Sequence, residues 1–157
     1  MEDQLLKILY IGNDSNVEKL FSSQENVKEF ITKSNAILAY NWLADNTPDV
    51  IFCELNIPGS NGFAVSDYIK NSLQFHNIPV ILLHHEKDES IKKKAISKKV
   101  DDLYFKPLDG DKIISRCHLL IEIKKLQSDT NINKEARNTI PKIPVEKRIF
   151  DIISAGS

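Results

Sequence analysis

The chain has 157 residues, 41% hydrophobic and 27% charged, with a formal net charge of -1. That length fits one compact domain with an appendage, and the charge gives no electrostatic case for nucleic acid or an anionic membrane as partner. No run approaches about 20 consecutive apolar residues, so no stretch reads as membrane-spanning. The opening MEDQLLK is acidic and polar, unlike a signal peptide. Cys53 and Cys117 are too few for a disulfide framework, and both are expected as reduced core thiols in a cytoplasmic protein.

In chain order, Lys7–Gly12 (KILYIG) is a short apolar run ending at glycine and reads as a buried strand. Asn13-Asp14-Ser15 offers turn and N-cap chemistry for a helix over Asn16–Ser23, with Val17, Leu20 and Phe21 as its apolar stripe. Val27–Thr32 reads as a second strand, and Asn35–Asn46 as a helix that Pro48 stops. Asp49–Leu55 is the third strand, apolar on both faces through Val50, Ile51, Phe52 and Cys53. Continuous apolar strands of this kind belong in a parallel sheet covered by helices on both sides. Pro58–Gly62 is a loop, and Phe63–Leu73 a helix presenting Phe63, Val65, Ile69 and Leu73. Ile78–Leu83 is the fourth strand, and Asp88–Lys99 a helix with Ile91, Ala95 and Ile96 inward and lysines outward. Leu103–Phe105 is the fifth strand, and Asp111–Gln127 the last helix. Five strand–helix alternations make a doubly wound, flavodoxin-like α/β domain over residues 1–128. Residues 129–157 read as linker and tail, the stretch 129–145 being polar with two prolines.

The ligand site of such a sheet lies at the carboxyl ends of its strands. Here those ends carry Asn13-Asp14, Glu54, His84-His85 and Lys106-Pro107. With the frames PDVIFCELNIPGSNGF, IPVILL and DDLYFKP, the chain over residues 6–127 resembles the response-regulator receiver domain, the CheY-like family of two-component signalling. The resemblance implies an aspartate phosphoacceptor at the end of strand three, an acidic pair holding Mg²⁺, a hydroxyl after strand four and a lysine after strand five. Carried over, the acidic pair is Asn13 and Asp14, the phosphoacceptor position is Glu54 and the hydroxyl position is His84. Lys106 and Pro107 match the family, and Leu103, with Tyr104 beside it, takes the aromatic switch position. Asp14, Glu54 and the backbone carbonyl of Asn56, with Asn13 uncharged, make a weak Mg²⁺ set; no cofactor is required.

Glu54 is one methylene longer than aspartate, so its carboxylate reaches toward the place of an added phosphoryl and can pair with Lys106, with about one charge instead of nearly two. Three readings stand: a fixed mimic of the phosphorylated state, a scaffold that no longer switches by phosphorylation, and residual phosphotransfer from a histidine kinase. The expected function is an atypical receiver, a pseudo-receiver, that regulates by protein contact and is not an enzyme within these residues. A small metal- or nucleotide-binding enzyme on the same scaffold is the third class. A His84–Glu54 pair would make the site pH-sensitive near neutrality. A metal held by His84 and His85 is disfavoured, because adjacent strand residues point to opposite sides. The lysines at 92, 93, 94, 98 and 99, interleaved with acids, read as a solvated face.

The last helix carries a second apolar stripe, Leu119, Ile123 and Leu126, which suggests a partner. The expected partners are a fused output domain or another protein, and a second copy bound through the face of helix four, strand five and helix five. The final EKRIFDIISAGS resembles the start of bacterial sugar transferases of the polyprenyl-phosphate type. On that resemblance the domain is the cytosolic regulatory head of a membrane-associated enzyme.

Overall fold

The computed structural model describes residues 4–139. By their contacts the residues fall into two units, Met1–Lys125 and Leu126–Ser157. The first holds a five-stranded parallel sheet of β1 (Leu6–Ile11), β2 (Val27–Lys33), β3 (Val50–Glu54), β6 (Val80–His84) and β7 (Asp102–Phe105), in spatial order β2-β1-β3-β6-β7. Helices α1 (Ser15–Ser22), α2 (Ala36–Leu43), α3 (Gly62–Lys70) and α4 (Glu89–Ser97) alternate with the strands, and α5 begins at Gly110 and runs to Thr139. This is the flavodoxin-like α/β architecture. Among the described residues, no helix is long and apolar enough to cross a membrane.

Successive strand residues face opposite sides, so each strand feeds two cores. On one side Leu9, Ile11, Ile51 and Cys53 pack with Ala39 and Leu43 of α2, Val65 and Ile69 of α3, and Ala95 of α4. On the other, Ile8, Tyr10, Val50 and Phe52 pack with Val17 and Phe21 of α1 and with Ile113, Cys117 and Leu120 of α5. Helix starts follow side-chain capping: Asp14, Asn35, Asn61 and Asp88 each accept from a backbone N–H of the turn that follows. Cys53 and Cys117 are free and buried.

Several elements differ from the sequence expectation. The segment around the Pro58–Gly62 loop forms a small antiparallel pair, β4 (Asn56–Ile57) with β5 (Ser60–Asn61), and Gly59 turns it at φ +74°. There a side chain would be strained. Helix α3 ends at Lys70, because Asn71 caps it and the Ser72 hydroxyl accepts from Gln74 and Phe75 N–H; Leu73 is 95% exposed rather than part of the stripe. Strand β6 begins at Val80 because Pro79 has no N–H to place in the ladder, although its carbonyl accepts from Ile51. Ile96, expected inward, is 71% exposed, and Ala95 is the buried residue of α4. The last helix extends beyond Gln127 into the stretch read as linker, where Lys134, Glu135, Ala136 and Arg137 are good helix formers and the first proline is Pro141. The EKRIFDIISAGS tail lies outside the described residues.

Candidate functional site

The carboxyl ends of β1, β3, β6 and β7 meet as parallel pairing requires, and they bring Glu54, Asp14 and Lys106 together. Glu54 is the last residue of β3, and its side chain is 12% exposed. Asp14 caps α1 at the end of the short Gly12–Asn13 connection from β1, and its Oδ1 accepts from Asn16 N–H at 2.9 Å. Lys106 follows β7, with its backbone N–H bonded to the carbonyl of His84 at 2.9 Å and a cis peptide to Pro107.

The Lys106 ammonium donates to Asp14 Oδ2 at 2.8 Å and to Glu54 Oε1 and Oε2 at 2.9 and 2.8 Å. Three acceptors satisfy its three N–H donors. Burial works against that charge, and the hydrogen bonds to Asp14 and Glu54 outweigh it, so Lys106 titrates above the ordinary lysine range. The same ammonium holds the Asp14 carboxyl below the usual carboxylate range.

A fourth member was missed in the sequence. The hydroxyl of Tyr10, which is fully buried, donates to Glu54 Oε2 at 2.6 Å and accepts from the backbone N–H of Asp14 at 3.1 Å. Burial, then the bond to Glu54, raises its pKa far above the phenol range. The signal lay in KILYIG itself: a tyrosine in a buried run needs a partner for its hydroxyl. Gly12 was also missed. A Cβ there would lie 2.5 Å from Glu54 Cγ and 2.6 Å from the Tyr10 hydroxyl, so only glycine admits this arrangement.

His84 is buried at the end of β6, its ring 4.3 Å from that of His85 and 6.3 Å from that of Phe105. The strand ends at His84, so the two imidazoles touch instead of pointing apart. Among the described residues, the hydrogen bonds to Glu54 side-chain oxygens come from Tyr10 and Lys106, so the expected His84–Glu54 bond is not formed. Burial, then the neighbouring His85, lowers the His84 pKa. His85 is exposed and sits 3.4 Å from Glu86.

The residues present do not fit Mg²⁺ well. A hard dication needs several free oxygen ligands. Asn13 and Asn56 are exposed and bring no charge, while the oxygens of Asp14 and Glu54 are already taken by an ammonium, a phenol and a backbone N–H. Among the described residues, no group of three or more His, Cys, Asp or Glu is placed to hold a metal.

The family model for the response regulator receiver domain matches residues 12–118. The chain belongs to the response-regulator receiver family. Receiver relatives include the transcriptional regulatory protein KdpE of Staphylococcus aureus, 27% identical over 128 residues, covering 80% of this chain and 54% of that protein. The hybrid signal transduction histidine kinase D of Dictyostelium discoideum is 28% identical over 93 residues, 59% of this chain and 6% of that protein. The chain therefore spans about half of the one relative and a small part of the other. Among solved structures, NtrX from Brucella abortus superposes with a TM-score of 0.70 at 22% identity, covering 90% of this chain and 32% of that one. The signal receiver domain of an HD domain-containing protein from Pseudomonas fluorescens gives 0.67 at 18%, covering 82% and 96%. At these identities the superpositions speak to the fold alone.

Proposed function

We propose that this receiver is a pseudo-receiver: it does not take up a phosphoryl group at Glu54 and regulates through protein contact. The observation that carries the reading is the saturation of the site. Both Glu54 oxygens lie within 2.9 Å of the Lys106 ammonium, and one also accepts from Tyr10. In-line attack on a phosphoryl donor needs a free, aligned carboxylate oxygen and a metal to neutralise the donor. Here the lone pairs point at a resident cation and a phenol. Lys106 therefore does for Glu54 what it would do for an added phosphoryl, with a single permanent charge.

The contact surface on this reading includes the outer side of α5, where Leu119 is 48% and Ile123 37% exposed. The partner is the output portion of a longer regulator or a separate protein, and a histidine kinase is the expected upstream enzyme only if phosphotransfer persists.

Intact mass after incubation with Mg²⁺ and a small acyl-phosphate donor tests the reading. The expected result is no phosphoryl adduct on the wild-type chain. An adduct that disappears in Glu54→Gln would establish a phosphorylation-competent receiver in its place.

A further inference from the structure

A cavity of about 480 Å³ opens between the start of α1 and the segment that follows β7. That volume suits a small organic molecule. Part of its wall is apolar: Val17 and Leu20 come from α1, Pro107 and Leu108 from the connection between β7 and α5. The polar part of the wall includes Asp14, Lys106 and His85.

The charge on that polar wall does not balance. Two carboxylates, Asp14 and Glu54, share one ammonium, that of Lys106, which leaves one negative charge. The Tyr10 phenol stays neutral, because burial and the bond to Glu54 raise its pKa. The surplus charge is reachable at Asp14, whose side chain is 29% exposed against 12% for Glu54. Asp14 accepts from Asn16 N–H and from Lys106. A carboxylate has about four acceptor positions, so Asp14 has capacity for a further donor. Donors on this wall, by contrast, are spent. All three N–H of Lys106 are taken, and the first-turn N–H groups of Asn16, Val17 and Glu18 bond to Asp14. His85 lies 3.4 Å from Glu86, so a proton gained there is matched by a neighbouring carboxylate.

We propose that this cavity binds a small organic cation, a primary amine with an apolar body, whose ammonium donates to Asp14. The apolar body would lie on Val17, Leu20 and Leu108 and be taken out of water there. An anion is the wrong occupant, since it meets surplus negative charge and finds no free N–H at Lys106 or at the α1 end. A metal dication is also wrong, since one open carboxylate does not make a shell of oxygen ligands. A single positive charge matches the single surplus. The proposal rests on the pseudo-receiver reading only in that a site taking no phosphoryl group leaves this cavity free for another input.

The test is an NMR titration of the full chain, without Mg²⁺ or phosphoryl donor, using 2-phenylethylamine as the probe. Its neutral and anionic counterparts, 2-phenylethanol and 3-phenylpropanoate, are run beside it. Saturable shifts at Val17, Leu20 and Leu108 are expected, with the amine bound about tenfold more tightly than the alcohol and the carboxylate weakest. Asp14→Asn keeps an N-cap side chain and should erase the advantage of the amine over the alcohol. Leu108→Ala should weaken amine and alcohol alike, by about fivefold, and keep the preference. The proposal is overturned if the amine does not saturate, if its shifts map elsewhere, if the alcohol or carboxylate binds as tightly, or if Asp14→Asn keeps the preference. Displacement of the amine by Mg²⁺ at equal concentration would assign the site to a metal and overturn it as well. A phosphoryl adduct in the mass experiment would fail the pseudo-receiver reading and leave these binding results unchanged, so the two fail separately.

Discussion

Lys106 gathers two carboxylates, and removing it leaves both half-buried without their cation. Lys106→Met should therefore lower stability by about 3 kcal/mol in urea titration, near the upper end for hydrogen bonds to charged groups. Tyr10→Phe removes one bond to a carboxylate and should lower it by about 1–3 kcal/mol. Gly12→Ala forces Glu54 or Tyr10 to move and should cost about 1–3 kcal/mol by overpacking. If Gly12→Ala is neutral, the close approach of these three residues is not as described. The lowered pKa of Asp14 gives a contribution present above its unfolded value of about 3.9 and lost as pH falls below it. The raised pKa of Lys106 gives one present below about 10.4 and lost as pH rises beyond it. His84 behaves oppositely to a paired histidine. Its depressed pKa means the unfolded chain binds the proton first, so stability falls as pH drops below about 6.5. Melting curves between pH 7 and 5, set beside His84→Leu, should show a flatter decline in the variant; parallel curves would remove His84 as the source.

At the scale of elements, α4 is the least embedded helix of the first unit. It buries Ala95, with Ile91 partly buried, and its carboxyl end is held by polar contacts: Lys70 donates to the carbonyls of Lys98 and Lys99, and Lys98 pairs with Asp67 at 3.5 Å. Few buried apolar contacts mean a low local opening free energy. Hydrogen exchange should be faster in α4 than in α1 or α3, and faster still in Lys70→Met; equal protection of α3 and α4 would refute this. The same feature explains what could be read from sequence. Strands β1, β3 and β6 were legible because their runs are continuously apolar, and α1, α2 and α3 because caps and stripes agree. Ile96 was misjudged because in KKKAIS two adjacent apolar residues share a 3.6-residue turn, and only the packing decides which faces the sheet. Leu73 was misjudged because the Ser72 turn, not the stripe, ends α3. In the site, Asp14, Glu54 and Lys106 were legible from their places at strand ends. Tyr10 was legible only as a buried tyrosine whose hydroxyl needs a partner; that the partner is Glu54 depends on how β1 and β3 pair.

For the whole molecule, two cores share one sheet, and the site is tied to the core under α1 and α5 through Tyr10. That ring lies 5.7 Å from Phe30, which neighbours Phe21 and Phe52. Phe21→Ala should cost about 3–5 kcal/mol by cavity formation. It should also loosen Glu54, seen as a shifted Tyr10 hydroxyl or ring resonance; an unmoved resonance would show the site to be mechanically independent of this core. The Tyr10–Glu54 bond also makes residue 54 and residue 10 a coupled pair for design. Glu54→Asp withdraws the carboxylate by one methylene from a buried phenol, which is left without its acceptor, and Tyr10→Phe removes the group that needs it. The two substitutions together should therefore cost less than the sum of each alone, and a double-mutant cycle in urea titration that came out additive would show the bond to be dispensable.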